Sequence, residues 1–232
     1  PLNSISKAHS VLDVGAGSGE FLFAISRSAT GIGIEPNKGY ADYCRTQLNL
    51  DVRTDELRPD LFPQEQFDFI RLNHVLEHLN DPVGSLAMIA RFLKPDGVFF
   101  VEVPNIDHYS ATKSTGNMFH YGHIFNFNPF TLRSAAGRAG LEEMPQTADR
   151  CANTTGVFLK KMPNTLAPED VRNSENAVRV AAAIKQHFAD KPLMHQVSRI
   201  SRLFTKLKLR TGETILSLRY KSPAEMGRAI LR

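Results

Sequence analysis

The chain contains no tryptophan and only two cysteines among its 232 residues. Cys44 and Cys151 stand far apart, and no C-x-x-C pair occurs. That counts against a thiolate zinc site and a disulfide framework and fits a reducing compartment, so a cytoplasmic location is expected. No apolar run approaches the ~20 residues needed to cross a bilayer, and no basic-then-apolar leader opens the sequence. Internal repeats and low-complexity tracts are also missing. What is present is ordinary for a globular protein, with 42% hydrophobic and 22% charged residues. The length suits one good-sized domain with an appendage.

Charge is unevenly divided. Residues 161–232 hold 14 Lys and Arg against 6 Asp and Glu, whereas residues 1–160 hold 14 against 18. The basic character therefore belongs to the tail, which argues against a nucleic-acid groove across the rest of the chain.

The most informative stretch is Val11-Leu12-Asp13-Val14-Gly15-Ala16-Gly17-Ser18-Gly19-Glu20. An apolar strand ends at an acid, and three glycines follow at every second position. A second short strand, Gly31-Ile32-Gly33-Ile34, ends in Glu35 and then Pro36. Strand, glycine turn, helix and acid-tipped strand make half of a nucleotide-binding βαβ unit. The acid at the second tip suits a ribose diol, because a carboxylate can accept two hydroxyl hydrogen bonds. The spacing departs from the dinucleotide fingerprint G-x-G-x-x-G: the third glycine comes one residue early, and Glu20 stands where a small residue is wanted. Asp13 would repel a pyrophosphate but suits a cation. S-adenosylmethionine (SAM), with a ribose, an adenine, an ammonium and no phosphate, fits these residues better than a nicotinamide dinucleotide. A glycine-rich turn in some other α/β protein is the bland alternative.

At this point the sequence resembles the class I SAM-dependent methyltransferases, whose first motif is an acid, any residue, then G-x-G-x-G. The segments Phe67–Pro82 and Phe92–Asn105 resemble that family's fourth and fifth strands with their flanking turns. His123-Ile124-Phe125-Asn126-Phe127-Asn128 and the run from Leu132 to Leu141 resemble a bacterial branch that methylates quinone precursors, sugars and other small metabolites. The resemblance covers about residues 9–162. It implies a helical lid ahead of the first strand, and this chain starts its first strand within about ten residues.

Short apolar runs at 9–14, 31–35, 50–53, 67–73 and 97–103 read as buried parallel strands. Residues 141–147 and 154–161 read as two closing strands. Asp81-Pro82 and Asn128-Pro129 are helix starts, each with an N-cap residue and proline at the first helical position. Pro95-Asp96-Gly97 should end the first of these helices and Gly140 the second. The alternation predicts a doubly wound α/β sheet of seven strands, Rossmann-like. The resemblance adds that its last strand is antiparallel. Residues 1–162 would form the SAM-binding domain and 163–232 a basic helical C-terminal extension. In that extension Val178, Ala181, Ile184 and Phe188 share one face of a helix, and a second, basic helix spans 194–210. Docking on the domain, or contact with a second copy or a partner, is favoured over a membrane surface, because tryptophan is absent and the apolar face is modest.

For cofactor binding the expectations are specific. Asp13 would anchor the methionine ammonium. Gly15, Ala16, Gly17 and Gly19 would floor the methionine and ribose. Glu35, followed by Pro36, would take the ribose hydroxyls. Asp55 would meet the adenine amino group, and Asn73 and His74 would lie near the sulfonium. His78 is expected to orient the loop before Asp81. His123, with His120 and Tyr121 behind it, is the candidate base or acceptor contact, since histidine titrates near neutral pH. No metal is expected, because no cysteine or nearby acid completes a set with His120 and His123. The acceptor implied is a small metabolite or sugar, methylated on oxygen or carbon. A SAM-binding scaffold without catalysis and a nicotinamide-dependent oxidoreductase are the alternatives. No Asn-Pro-Pro-Tyr-type segment follows the fourth strand, where Asn73-His74-Val75-Leu76 stands instead.

Overall fold

The computed structural model describes residues 10–108, 122–145, 154–162 and 173–189. Seven strands form one sheet: β1 (Ser10–Val14), β2 (Thr30–Ile34), β3 (Asp51–Arg53), β4 (Phe67–Asn73), β5 (Leu93–Pro104), β6 (Leu141–Glu143) and β7 (Thr154–Lys161). Their order is β3-β2-β1-β4-β5-β7-β6. All neighbours pair in parallel except β7, which runs antiparallel to both β5 and β6. The antiparallel last strand matches the expectation. The chain reverses direction across the sheet between β1 and β4, and open α/β sheets place ligands beyond the strand ends at such a switch.

Side chains alternate between the two faces of the sheet, and each face has its own core. Leu12, Val14, Ile70, Leu72, Phe99 and Val101 pack on one side with Leu86 and Ile89 of α3 (Pro82–Phe92) and Leu132 of α4 (Pro129–Arg138). On the other side Val11 and Phe69 meet Leu22 and Ile25 of α1 (Glu20–Ile25) and Ala41 and Cys44 of α2 (Lys38–Gln47). The glycines of β2 let α1 press directly on the strand: a Cβ at Gly33 would come within 2.8 Å of Leu22 and 2.9 Å of Ala16.

Both proline-headed helices start where the sequence places them. The Asp81 side chain accepts from the Gly84 N–H at 2.9 Å. Asn128 and Thr131 form a reciprocal capping box, in which the Thr131 N–H donates to Asn128 Oδ1 at 2.9 Å and the Asn128 N–H donates to Thr131 Oγ1 at 3.0 Å. Gly140 follows that helix with φ +77°. Two boundaries differ from expectation. Helix α3 ends at Phe92, and Leu93 already pairs with Phe67, so Pro95-Asp96-Gly97 forms an irregularity inside β5 rather than the stop of the helix. Strand β6 stops at Glu143, short of 147.

The first tail helix, α5 (Ser174–Ala189), is held by polar contacts. Asn128 Nδ2 donates to Asn176 Oδ1 at 2.7 Å, and Arg179 lies 3.4 Å from Asp107. Asp107 belongs to a short 3-10 turn, Ile106–His108. Val178, expected on a packed apolar face, is 71% exposed, because the polar side of the helix makes these contacts. The 194–210 helix lies outside the described residues, and no described helix is long and apolar enough to cross a membrane.

Asn128 thus caps α4 and anchors α5 at once. Asn128→Ala should lower stability by about 1–2 kcal/mol, the loss of a cap plus a buried amide contact. Urea unfolding followed by circular dichroism checks this, and an unchanged midpoint would remove Asn128 as a joint.

Candidate active site

The site begins with the turn between β1 and α1. Gly15, Gly17 and Gly19 all have positive φ, at 76°, 54° and 84°, which explains glycine at every second position. At Gly15 there is also no room: a Cβ would lie 2.3 Å from Val75 Cγ2. The turn is tied to the end of β2, where Ile34 O accepts from the N–H groups of Gly15 (2.8 Å) and Ala16 (3.0 Å). Glu35 completes the tie. Its Oε2 accepts from the Gly17 N–H and its Oε1 from the Asn37 N–H, both at 2.8 Å. Pro36 is exposed beside it.

Asp13 lies beneath this turn, fully buried. Register puts it opposite Arg71 of β4, and Arg71 Nη1 donates to Asp13 Oδ1 at 2.9 Å. The guanidinium also sits 4.7 Å over the Phe21 ring. The other carboxylate oxygen, Oδ2, has no hydrogen-bond partner. Sequence reasoning missed Arg71. Its signal was a lone cation in an apolar strand, but only the β1–β4 register reveals its partner.

From Arg71 a polar line runs across the carboxyl ends of the strands. The Asn73 amide satisfies both neighbours when its oxygen accepts from Arg71 Nη2 (3.2 Å) and its nitrogen donates to Glu102 Oε1 (3.1 Å). His74, with φ +55°, turns the chain out of β4, and its N–H donates to Glu102 O at 2.9 Å. Its ring lies 3.7 Å from Glu102 Oε1 and 3.4 Å from Glu77 Oε1. Glu77 sits in a 3-10 turn, Leu76–His78, with its carboxylate buried. His123 approaches the same oxygen at 4.0 Å and meets the His78 ring edge-on at 4.8 Å between centroids. His78 Nδ1 bonds Gly122 O at 2.7 Å, so His78 fastens the chain 44 residues on rather than the loop before Asp81.

The structure therefore brings Asp13, Gly15, Ala16, Gly17, Gly19 and Glu35 together at one end, and Asn73, His74 and His123 at the other. Asp55 is two residues beyond β3. Its Oδ1 is engaged by the Arg58 guanidinium and by the Glu56 N–H at 2.9 Å. His120 and Tyr121 lie outside the described residues. Glu77 is the acid that the sequence argument found lacking near His123.

An open, mostly parallel sheet with a lone antiparallel strand and a glycine turn at its switch point defines a Rossmann-like fold of the methyltransferase type. Residues 2–145 match the family model described as a methyltransferase domain, and the chain belongs to that family. A protein of Mycolicibacterium smegmatis named as a probable S-adenosylmethionine-dependent methyltransferase is 27% identical over 192 residues, covering 81% of this chain and 68% of that protein. A ubiquinone biosynthesis O-methyltransferase of Rhodopseudomonas palustris is 32% identical over 103 residues, 41% of this chain. That match spans only 40% of the relative's length. Among solved structures, a SAM-dependent methyltransferase from Archaeoglobus fulgidus aligns with TM-score 0.57 at 17% identity, over 69% of this chain and 89% of that one. Mitomycin 7-O-methyltransferase aligns with TM-score 0.58 at 19% identity, over 68% and 50%. At such identities the structural likeness is one of fold.

Burial pushes the Asp13 carboxyl up to about 6, against the pull of Arg71 and with a further push from Glu20 and Glu35. The folded protein thus holds this proton more tightly than the unfolded chain. The associated stability is fully present below about pH 4 and is lost as pH rises through about 6. A rise of about two units corresponds to about 3 kcal/mol. Relative to Asp13→Asn, the unmodified protein should lose about that much stability between about pH 4 and pH 7. Urea unfolding of both proteins across this range measures it; parallel stability profiles would show that Asp13 keeps an ordinary pKa.

Proposed function

We propose that the protein is a SAM-dependent methyltransferase that transfers a methyl group to an oxygen or carbon of a small metabolite or sugar. The observation that carries this reading is Glu35, held at the tip of β2 by two backbone N–H donors. Each carboxylate oxygen has accepted one hydrogen bond and can accept another. That is the requirement for gripping a ribose diol. The fit extends to the glycine turn, where nothing lies within 4 Å of a Cβ position at Gly17. SAM, when bound, supplies an electrophilic methyl group on a sulfonium.

The chain's own residues would bind and orient. Gly15, Ala16, Gly17 and Gly19 floor the site, and Glu35 fixes the ribose end. Asp13 is too deeply buried for direct contact, so it acts on an ammonium through its field or a bridging water. Asp55 reaches an adenine amino group only in competition with Arg58. Asn73 and His74 stand at the end of β4, between the cofactor side and the acceptor side. His123 faces the acceptor. A small-molecule acceptor is supported by the character of the relatives and by a basic charge confined to the tail.

Calorimetric titration with SAM and S-adenosylhomocysteine, with NADH as control, should show binding of the first two alone. Glu35→Ala should weaken that binding by about 1–3 kcal/mol, through loss of charge-assisted hydrogen bonds and of the clamp on Gly17. Unchanged affinity would take Glu35 out of the site. SAM binding without transfer to any acceptor in a metabolite panel would favour the scaffold alternative. His123→Ala should cut turnover while leaving SAM affinity nearly intact, and a collapse of binding would make His123 a cofactor residue instead.

A further inference from the structure

Glu77 is 1% exposed, and neither of its carboxylate oxygens has a hydrogen-bond partner. A buried carboxylate is costly unless a cation or strong donors compensate it. The groups facing it are imidazoles. One nitrogen each of His74, His78 and His123 lies 3.4, 4.0 and 4.0 Å from Glu77 Oε1. Ligand-type atoms of Glu77, His78 and His123 all fall within 4.8 Å of one another. A tetrahedral ion with bonds of ~2.1 Å has ligand–ligand edges of ~3.4 Å, so a small inward rotation of these side chains closes the set.

Two features show preparation for a ligand rather than chance proximity. The His78 Nδ1 contact with Gly122 O at 2.7 Å requires a proton on Nδ1. In the neutral ring this leaves the Nε2 lone pair on the Glu77 side, the outer-sphere arrangement that metal-bound histidines adopt. In addition, Glu77 O accepts from the N–H groups of Ile124 (2.8 Å) and Phe125 (3.1 Å). The turn that carries Glu77 and His78 and the segment that carries His123 are thus locked together by backbone bonds independent of the cluster.

We propose that Glu77, His78 and His123 form a binding site for a late first-row divalent cation such as Zn2+ or Co2+, with its fourth position open beside His74. Two imidazoles and a carboxylate suit such ions, whereas Mg2+ prefers an all-oxygen, octahedral shell. Three protein ligands with one open position is the pattern of catalytic rather than structural sites. The role of the ion rests on the methyltransferase reading. An acceptor hydroxyl at the open position would have its pKa lowered and would release its proton to solvent, with His123 serving as ligand instead of base.

The test is titration of the untagged, metal-free full chain with Zn2+ by calorimetry and with Co2+ by visible spectroscopy. S-adenosylhomocysteine binding reports the fold and the cofactor site separately. One ion per chain is expected, with the visible bands of four-coordinate cobalt and no displacement by excess Mg2+. Glu77→Gln and His123→Ala should each weaken Zn2+ binding by about tenfold or more and leave S-adenosylhomocysteine binding in place. Should Glu77→Gln fail to fold, His78→Ala and His123→Ala carry the same comparison. Zn2+ bound by a protein that ignores both SAM and S-adenosylhomocysteine would uphold the site and sink the methyltransferase reading. A chain that binds S-adenosylhomocysteine but no Zn2+, or variants that bind Zn2+ undiminished, would overturn the metal site.

Discussion

The carboxylate of Glu35 is the joint on which this end of the molecule depends. One oxygen holds the Gly17 N–H and the other the Asn37 N–H. These donors belong to the turn before α1 and to the N-cap of α2. A single side chain at a strand tip therefore ties two connections together, alongside the backbone bonds from Gly15 and Ala16 to Ile34 O. Helix α1 is only six residues long and has no side-chain cap, so its direction comes from the turn before it. Isolated helices of that length are unstable in water. Tertiary packing of Leu22 against the glycines of β2, together with the Glu35 clamp, does what propensity cannot.

A second constraint operates across the strand ends. Asp13, Arg71, Asn73, Glu102, His74 and Glu77 form a line of alternating acid and donor groups. The line runs from the fully buried Asp13 within β1, through the half-buried Asn73 and Glu102, to the buried Glu77. Such a network is expensive if any member is left unmatched. Here three oxygens are unmatched among these residues, at the two ends of the line: Asp13 Oδ2 beneath the glycine turn and both carboxylate oxygens of Glu77 beside His123. The unfulfilled polar capacity thus lies at the two ends of the line, beneath the glycine turn and beside His123.

What could be read from the sequence follows from locality. The glycine turn was legible because positive φ at every second residue admits few alternatives. The helix starts at Asp81-Pro82 and Asn128-Pro129 were legible because cap, proline and helix are contiguous. The strands were legible because burial on both faces makes them continuous apolar runs. The Asp13–Arg71 pair was hidden because it depends on register between strands 58 residues apart. Glu77 was hidden for a related reason: it stands next to His78 in sequence, yet its meaning depends on a backbone lock to Ile124 and Phe125. The early start of β5 was obscured by Pro95-Asp96-Gly97, which reads as a helix stop but is absorbed as an irregularity within the strand. The helical register of Val178, Ala181 and Ile184 was visible, but its burial was not, since Asn176 and Arg179 decide which side of α5 faces the domain.

Helix α5 is attached through Asn128 and Asp107. Asp107 stands three residues beyond the end of β5, and Asn128 directly follows Phe127, which bridges back to Asn105. These two residues bracket the long connection that carries His123. The Asn128 Nδ2 contact to Asp107 Oδ1 at 3.2 Å closes the base of that connection, and α5 sits across the closure. Joined here, it holds Asp107 and Asn128, the described residues on either side of the connection that contains His123. The energy involved is modest: Arg179 is largely exposed, so its pair with Asp107 contributes little, and the contact of the buried Asn128 amide with Asn176 carries most of it. A joint of that strength suits an element that braces Asp107 and Asn128 without making the domain's fold depend on it.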